Sequence, residues 1–229
     1  MKKSILLLLL ASVTSCQKEV SASFDINIES VDESDKRFYN LSEIKILKNN
    51  KVFKILKTDK YAFSLNQRIK IDSIEEGKYT FVYTNLFGDK MKEEQVVDEA
   101  KNYRVSINPD KSIKKIANLA FESLRDSKVK LIYNSNGCFH HNSDSVILEN
   151  IGDDYFVRRG QRSKKLDKDE LAYFISIENR IRQVPQDGGC TTSDRYVFEN
   201  RGKADTIIDG TCNFHLYNKI SNYLKKNNL

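Results

Sequence analysis

The stretch "NGCFHHNSD", residues 136–144, places Cys138 two and three positions ahead of His140 and His141, and "CNFH" places Cys212 three positions ahead of His215. All three histidines of the chain therefore stand within three residues of a cysteine. Thiolate and imidazole are zinc ligands, and three protein ligands with one open position make a hydrolytic centre. If the two segments meet in space, Cys138, His140 or His141, and His215 supply such a set, with zinc as the cofactor. Their spacing matches no standard finger or zincin motif. A nucleophilic Cys138 paired with a histidine is a thiol alternative, although residues two apart on a strand share a face without normally reaching hydrogen-bond distance. The plain alternative is no cofactor and no catalytic residue, with Cys138 an ordinary structural thiol.

The other thiols suggest a staple. Cys190 and Cys212 flank a run that reads as a hairpin over 195–209. If its turn centres on Arg201 and Gly202, the two cysteines come nearly opposite each other at the open end, and closing the loop stabilises by roughly 3 kcal/mol in the chain-entropy model. Spacing does not fix connectivity, so pairing of Cys138 with Cys190 or with Cys212 stays open. Asp187-Gly188-Gly189, just upstream, reads as a turn or a hinge loop.

A disulfide needs an oxidising compartment, and the N-terminus points to one. Lys2 and Lys3 precede an apolar run from Ile5 to Ala11, and small residues lead on to Cys16. That is the order of an export signal, and the run is too short to span a bilayer, which takes about twenty apolar residues. Val13-Thr14-Ser15-Cys16 resembles the lipobox of bacterial lipoproteins, with Val in place of the usual Leu. The resemblance implies removal of residues 1–15 and acylation of Cys16, which then anchors the chain in outer-membrane lipid. Gln17-Lys18-Glu19 is similar to the charged tag that directs many Bacteroidetes lipoproteins to the cell surface. Residues 16–23 form a tether of at most roughly 25–30 Å.

Composition narrows the partners. Loss of Lys2 and Lys3 with the signal lowers the formal net charge from +6 to +4, and charged residues make up 31% of the whole chain. A mildly basic, mixed-sign surface argues against nucleic acid as a partner. Eleven Tyr, twelve Phe and only two Pro argue for packed structure.

Two folding units are expected, separated at the turn-like Asn108-Pro109-Asp110. Over 24–109, alternating segments at 24–30, 42–48, 51–57, 68–74, 78–85 and 102–108 predict an all-β sandwich of immunoglobulin or transthyretin type. "EEGKYTFVYTN" resembles a strand of carboxypeptidase-regulatory-like, transthyretin-like sandwiches, which implies a scaffold without chemistry of its own. Over 110–229 the pattern predicts a smaller α+β domain: strands at 128–134, 145–150 and 154–159, a helix capped by Asp167 and Glu170, the hairpin, and a last helix over 213–227.

"VRRGQRSKK", 157–165, gathers Arg158, Arg159, Arg162, Lys164 and Lys165. Such a run is ordinarily a solvated loop, here partly balanced by Glu149, Asp153 and Asp154; as a site it would take an anionic partner such as lipopolysaccharide, an acidic polysaccharide or an acidic protein. The function expected from these observations is a non-enzymatic envelope module binding a protein or glycan. The alternatives are a toxin-immunity or inhibitor lipoprotein, and a metal- or thiol-dependent enzyme built on Cys138, His140, His141 and His215.

Overall fold

The computed structural model describes residues 21–30, 41–58, 62–112, 114–186 and 188–229. The expected signal at 1–15, the lipobox-like stretch with Cys16, and the expected tether before residue 21 lie outside the described residues.

Seven strands make the first unit: β1 (Ala22–Ile28), β2 (Glu43–Lys48), β3 (Lys51–Lys57), β4 (Arg68–Ile74), β5 (Gly77–Thr84), β6 (Lys90–Val97) and β7 (Asn102–Ile107). They form a three-stranded sheet ordered β4-β1-β7 and a four-stranded sheet ordered β3-β2-β5-β6. The sequence alternation decides which side chains meet between the sheets. Phe24, Ile26 and Ile28 of β1 and Tyr79, Phe81 and Tyr83 of β5 are buried in one cluster, with Phe24 edge-on to both Tyr79 and Phe81 at 5.1 Å. Asn49 and Asn50 both take positive φ, the geometry of the tight turn that matches strand twist, and so join β2 to β3. Ser73, at φ +58°, marks a bulge in β4 that brings both Ile71 and Ile74 to the core.

The second unit is a six-stranded antiparallel sheet with two helices on one face. Its strands are β8 (Lys128–Gly137), β9 (His140–Ile151), β10 (Asp154–Arg159), β11 (Arg162–Leu166), β12 (Ser193–Asn200) and β13 (Lys203–Asp209), ordered β11-β10-β9-β8-β12-β13. Helix α1 (Lys168–Ile181) has the expected Asp167/Glu170 capping box. Its Phe174, Ile177 and Ile181 meet Tyr217, Ile220 and Leu224 of α2 (Leu216–Lys226) over Val129, Leu131, Val146 and Phe198 of the sheet. Tyr133 stacks flat on Tyr217 at 4.3 Å.

A β-sandwich with an α+β part is thus the observed fold. Three local expectations change. The last helix begins at Leu216 rather than at residue 213, because His215, at φ −136° and ψ 53°, lies outside helical space and forms the cap. The basic run at 157–165 is a hairpin turning at Gly160, φ +58°, rather than a loop. Strand β9 starts at His140, five residues before the expected position.

The two units touch. Asn85 accepts from the backbone N–H of Phe87 and Asp89 and donates to the Lys111 carbonyl, which shapes the β5–β6 turn so that Phe87 packs on Phe214 at 5.0 Å. The segment leading into β8 is pinned by Glu178 of α1. This buried carboxylate accepts from the Ala120 and Phe121 backbone N–H groups, both at 2.7 Å, and pairs with Arg182 at 2.7 Å.

Candidate functional site

The opening stretch resolves into a β-hairpin. Gly137 pairs with His140, and Cys138 with Phe139 forms the two-residue tip, where the thiol is free and exposed and the phenyl ring stands wholly in solvent. Gly137 is dictated by space: a Cβ there would lie 2.4 Å from Cε1 of His140. His140 folds back over that gap and its Nε2 is 3.0 Å from the Ser135 hydroxyl, while His141 hydrogen-bonds Asn136 beside it.

Ser135 leads inward to Asp194. Tyr133 donates to this carboxylate at 3.1 Å, Ser135 hydrogen-bonds it, and Nδ1 of His215 lies 3.6 Å away. Burial pushes the Asp194 pKa up, but the bonds from His215, Ser135 and Tyr133 outweigh it and hold the group below its ordinary value. Opposite, Asp209 accepts from the backbone N–H and hydroxyl of Thr211 at 2.8 and 2.6 Å, leaving its second oxygen buried without a partner among the described residues. Burial, with the nearby Asp194 charge adding to it, raises the Asp209 pKa.

His140, Ser135, Asp194 and His215 therefore form one chain of contacts, whose order decides its chemistry. In a serine nucleophile the carboxylate orients the imidazole and the imidazole deprotonates the hydroxyl. Here the carboxylate contacts the hydroxyl and His140 is held from the other side, with Ser135 itself 4% exposed. The arrangement ties the hairpin, β12 and the start of α2 together.

The cysteines complete that tie. Cys190 and Cys212 are bonded, their Cα atoms 5.7 Å apart, and the hairpin between them turns at Arg201-Gly202 with Asn200 facing Lys203, as the sequence register requires. Gly188 is pressed against Gly210 so closely that a Cβ would come within 2.0 Å of the Gly210 carbonyl oxygen, so only glycine fits there; Asp187 lies outside the described residues.

The zinc set considered above is not assembled. Among the described residues no three His, Cys, Asp or Glu side chains gather as a metal site. Cys138 sits at the tip, His140 and His141 bond Ser135 and Asn136, and His215 lies against Asp194. Hydrogen-bonded strand geometry separates what the short sequence intervals brought near.

The five basic residues of 157–165 are each engaged within the fold. Arg158 pairs with Glu149 at 2.8 Å, Arg159 with Asp144 at 2.8 Å, Lys165 with Asp154 at 2.7 Å and Lys164 with Glu170, while Arg162 donates to the Asn228 carbonyl at 2.9 Å.

The face of the sheet away from the helices carries groups that the sequence reasoning passed over. Arg158, Ile147, Lys130, Glu199 and Ala204 stand in one row across five strands. At the β12–β13 turn this face holds an open recess of about 580 Å³, lined by Lys128, Lys130, Ile147, Glu199, Arg201 and Lys203. The signal for it is the alternation of Lys128 and Lys130 with buried Val129 and Leu131, which fixes both lysines on the side away from the core.

No helix among the described residues is long and apolar enough to cross a membrane. No family model matches the chain, and no curated protein matches it. Among solved structures, the crystal structure of BcpA, the major pilin subunit of Bacillus cereus, is similar at 11% sequence identity and a TM-score of 0.32, over 83% of this chain and 69% of that one.

Proposed function

We propose that this chain is a lipid-anchored protein of the bacterial outer membrane, held through acylated Cys16, that acts as a non-enzymatic binding module for a protein or glycan partner. The anchoring rests on the export signal and the Val13-Thr14-Ser15-Cys16 motif. The binding role rests on one observation: both helices cover the same face of the six-stranded sheet, while its other face presents Lys128, Arg195 and Glu199 exposed and Lys130, Ile132 and Asn134 partly so. A sheet covered on one side only can offer a broad, preformed surface without rearrangement. Of the groups with nucleophilic or ligating chemistry, Cys190, Cys212, His140 and His215 serve the fold through the disulfide and the contacts around Asp194, and Cys138 stands free at a hairpin tip.

The test uses the full chain in its native cells. Labelled palmitate enters the wild type and not Cys16→Ala, and Cys16→Ala leaves the membrane fraction. A photo-crosslinking residue at Arg195, on the open face, gives discrete adducts in intact cells, whereas one at Ser176 on the helix side does not. Retained label in Cys16→Ala overturns the anchoring, and identical adducts from both positions overturn the assignment of the binding face.

A further inference from the structure

The cations of this protein divide into two kinds. In the 157–165 run, where Arg162 donates to the Asn228 carbonyl, the other four cations are neutralised within the fold by Glu149, Asp144, Glu170 and Asp154. Those around the recess at the β12–β13 turn are not. Lys128, Lys130 and Lys203 form no ion pair among the described residues, and Arg201 makes one weak bond, to the Arg125 carbonyl at 3.4 Å. Four positive charges thus line one recess with a single carboxylate, Glu199.

Holding like charges together without counter-charge costs the folded state free energy, and a bound anion relieves that cost. The volume of about 580 Å³ fits a small group, within the roughly 300–1,000 Å³ typical of ligand pockets. Ile147 and the lysine stems give it an apolar floor. Lysine supplies three donors on a compact charge and arginine a planar fork, and both suit phosphate oxygens. Glu199 can accept from a hydroxyl beside the phosphate, as on a sugar or glycerol.

We propose that this recess binds a phosphate-bearing group of the kind that phosphorylated glycans and anionic lipid headgroups share. This assignment rests on the binding-module reading and names the ligand chemistry of its open face. A compact recess at a hairpin end favours such a group over an acidic peptide, which needs an extended groove.

Titration calorimetry of the full chain with tripolyphosphate is the direct test. Saturable binding is expected, at least about tenfold weaker in Lys128→Gln/Lys130→Gln/Lys203→Gln and weakened by added salt. Glu199→Gln should bind tighter. Arg159→Gln/Lys164→Gln, which removes ion-paired cations on the helix side of the sheet, should bind as the wild type does. Thermal melts confirm that each variant is folded.

Vesicles of phosphatidylcholine with one-fifth phosphatidic acid distinguish the sources. Binding of both probes, each competing with the other, supports the shared phosphate chemistry; capture of vesicles that tripolyphosphate displaces, in preference to tripolyphosphate alone, supports a lipid headgroup. No saturable binding of either probe, equal affinity in the triple-lysine variant, or equal affinity for an oligoglutamate peptide overturns the proposal. None of these results alters acyl labelling at Cys16 or crosslinking at Arg195, so failure here is distinct from failure of the broader reading.

Discussion

Asp194 and Asp209 face each other directly across β12 and β13, both almost wholly buried, and their surroundings drive their proton affinities in opposite directions. Asp194 has three partners for its charge, whereas Asp209 has one oxygen with none among the described residues.

The pair makes a signed prediction about stability against pH. Asp194 ionises more readily folded than unfolded, so its contribution is present above about pH 3.8 and is lost as pH falls through its lower folded value. Asp209 holds its proton more tightly when folded, so stability falls as pH rises from about 3.8 through its folded value. Asp194→Asn should therefore cost about 1–3 kcal/mol at pH 7 and almost nothing in strong acid. Asp209→Asn should flatten the decline above pH 3.8. Urea melts of each variant from about pH 1.5 to 7 check both signs.

Cys190→Ala/Cys212→Ala opens a loop with a sequence separation of 22 and should lower unfolding free energy by about 3 kcal/mol. Reductant should reproduce the loss in the wild type and leave the double variant unchanged. An unchanged denaturation midpoint in the double variant would refute the staple.

Glu178 holds the segment before β8 through two backbone N–H groups and Arg182. Glu178→Ala should cost about 2–6 kcal/mol, because it leaves two backbone donors unpaired at about 1–3 kcal/mol each, while Arg182 keeps Asp205 as its second partner. Amide exchange at Ala120 and Phe121 should accelerate in step with the loss of stability, and protected amides there would contradict the contact.

Gly137→Ala should force the His140 ring off Ser135, since the new methyl would occupy the position of that ring. The His140 ring signals in NMR spectra report the displacement. Cys138 should react with iodoacetamide in the native state of both proteins, because the tip is exposed in either case.

Much of this was legible in the residues. The strands of the first unit with hydrophobic alternation, the Asp167/Glu170 cap and the register of the β12–β13 hairpin follow from periodicity and turn chemistry. Strand β6 escaped because Lys90, Lys92, Glu93 and Glu94 leave only Met91 and Val97 as fully buried anchors, and charge masked the alternation. The first part of β9 escaped for a related reason: His140 to Asp144 are polar on both sides, so no period marks the strand. The contacts around Asp194 depend on β8 lying beside β12, a pairing that no local signal specifies. The recess depends on the same neighbourhood, because only that pairing brings Lys130 against Glu199.

Strand β1, the first of the sandwich, runs parallel to β7, its last, through six facing pairs from Ser23–Asn102 to Ile28–Ile107. The chain enters at the N-terminal end of β1 and leaves for the second unit at the C-terminal end of β7, and in a parallel pair those ends point in opposite directions. Tension between the N-terminus and anything gripped by the second unit therefore slides the two strands past each other. All their hydrogen bonds bear the load together instead of opening one at a time. A pull applied at those two ends therefore loads the sandwich in shear, the direction in which a strand pair resists separation best.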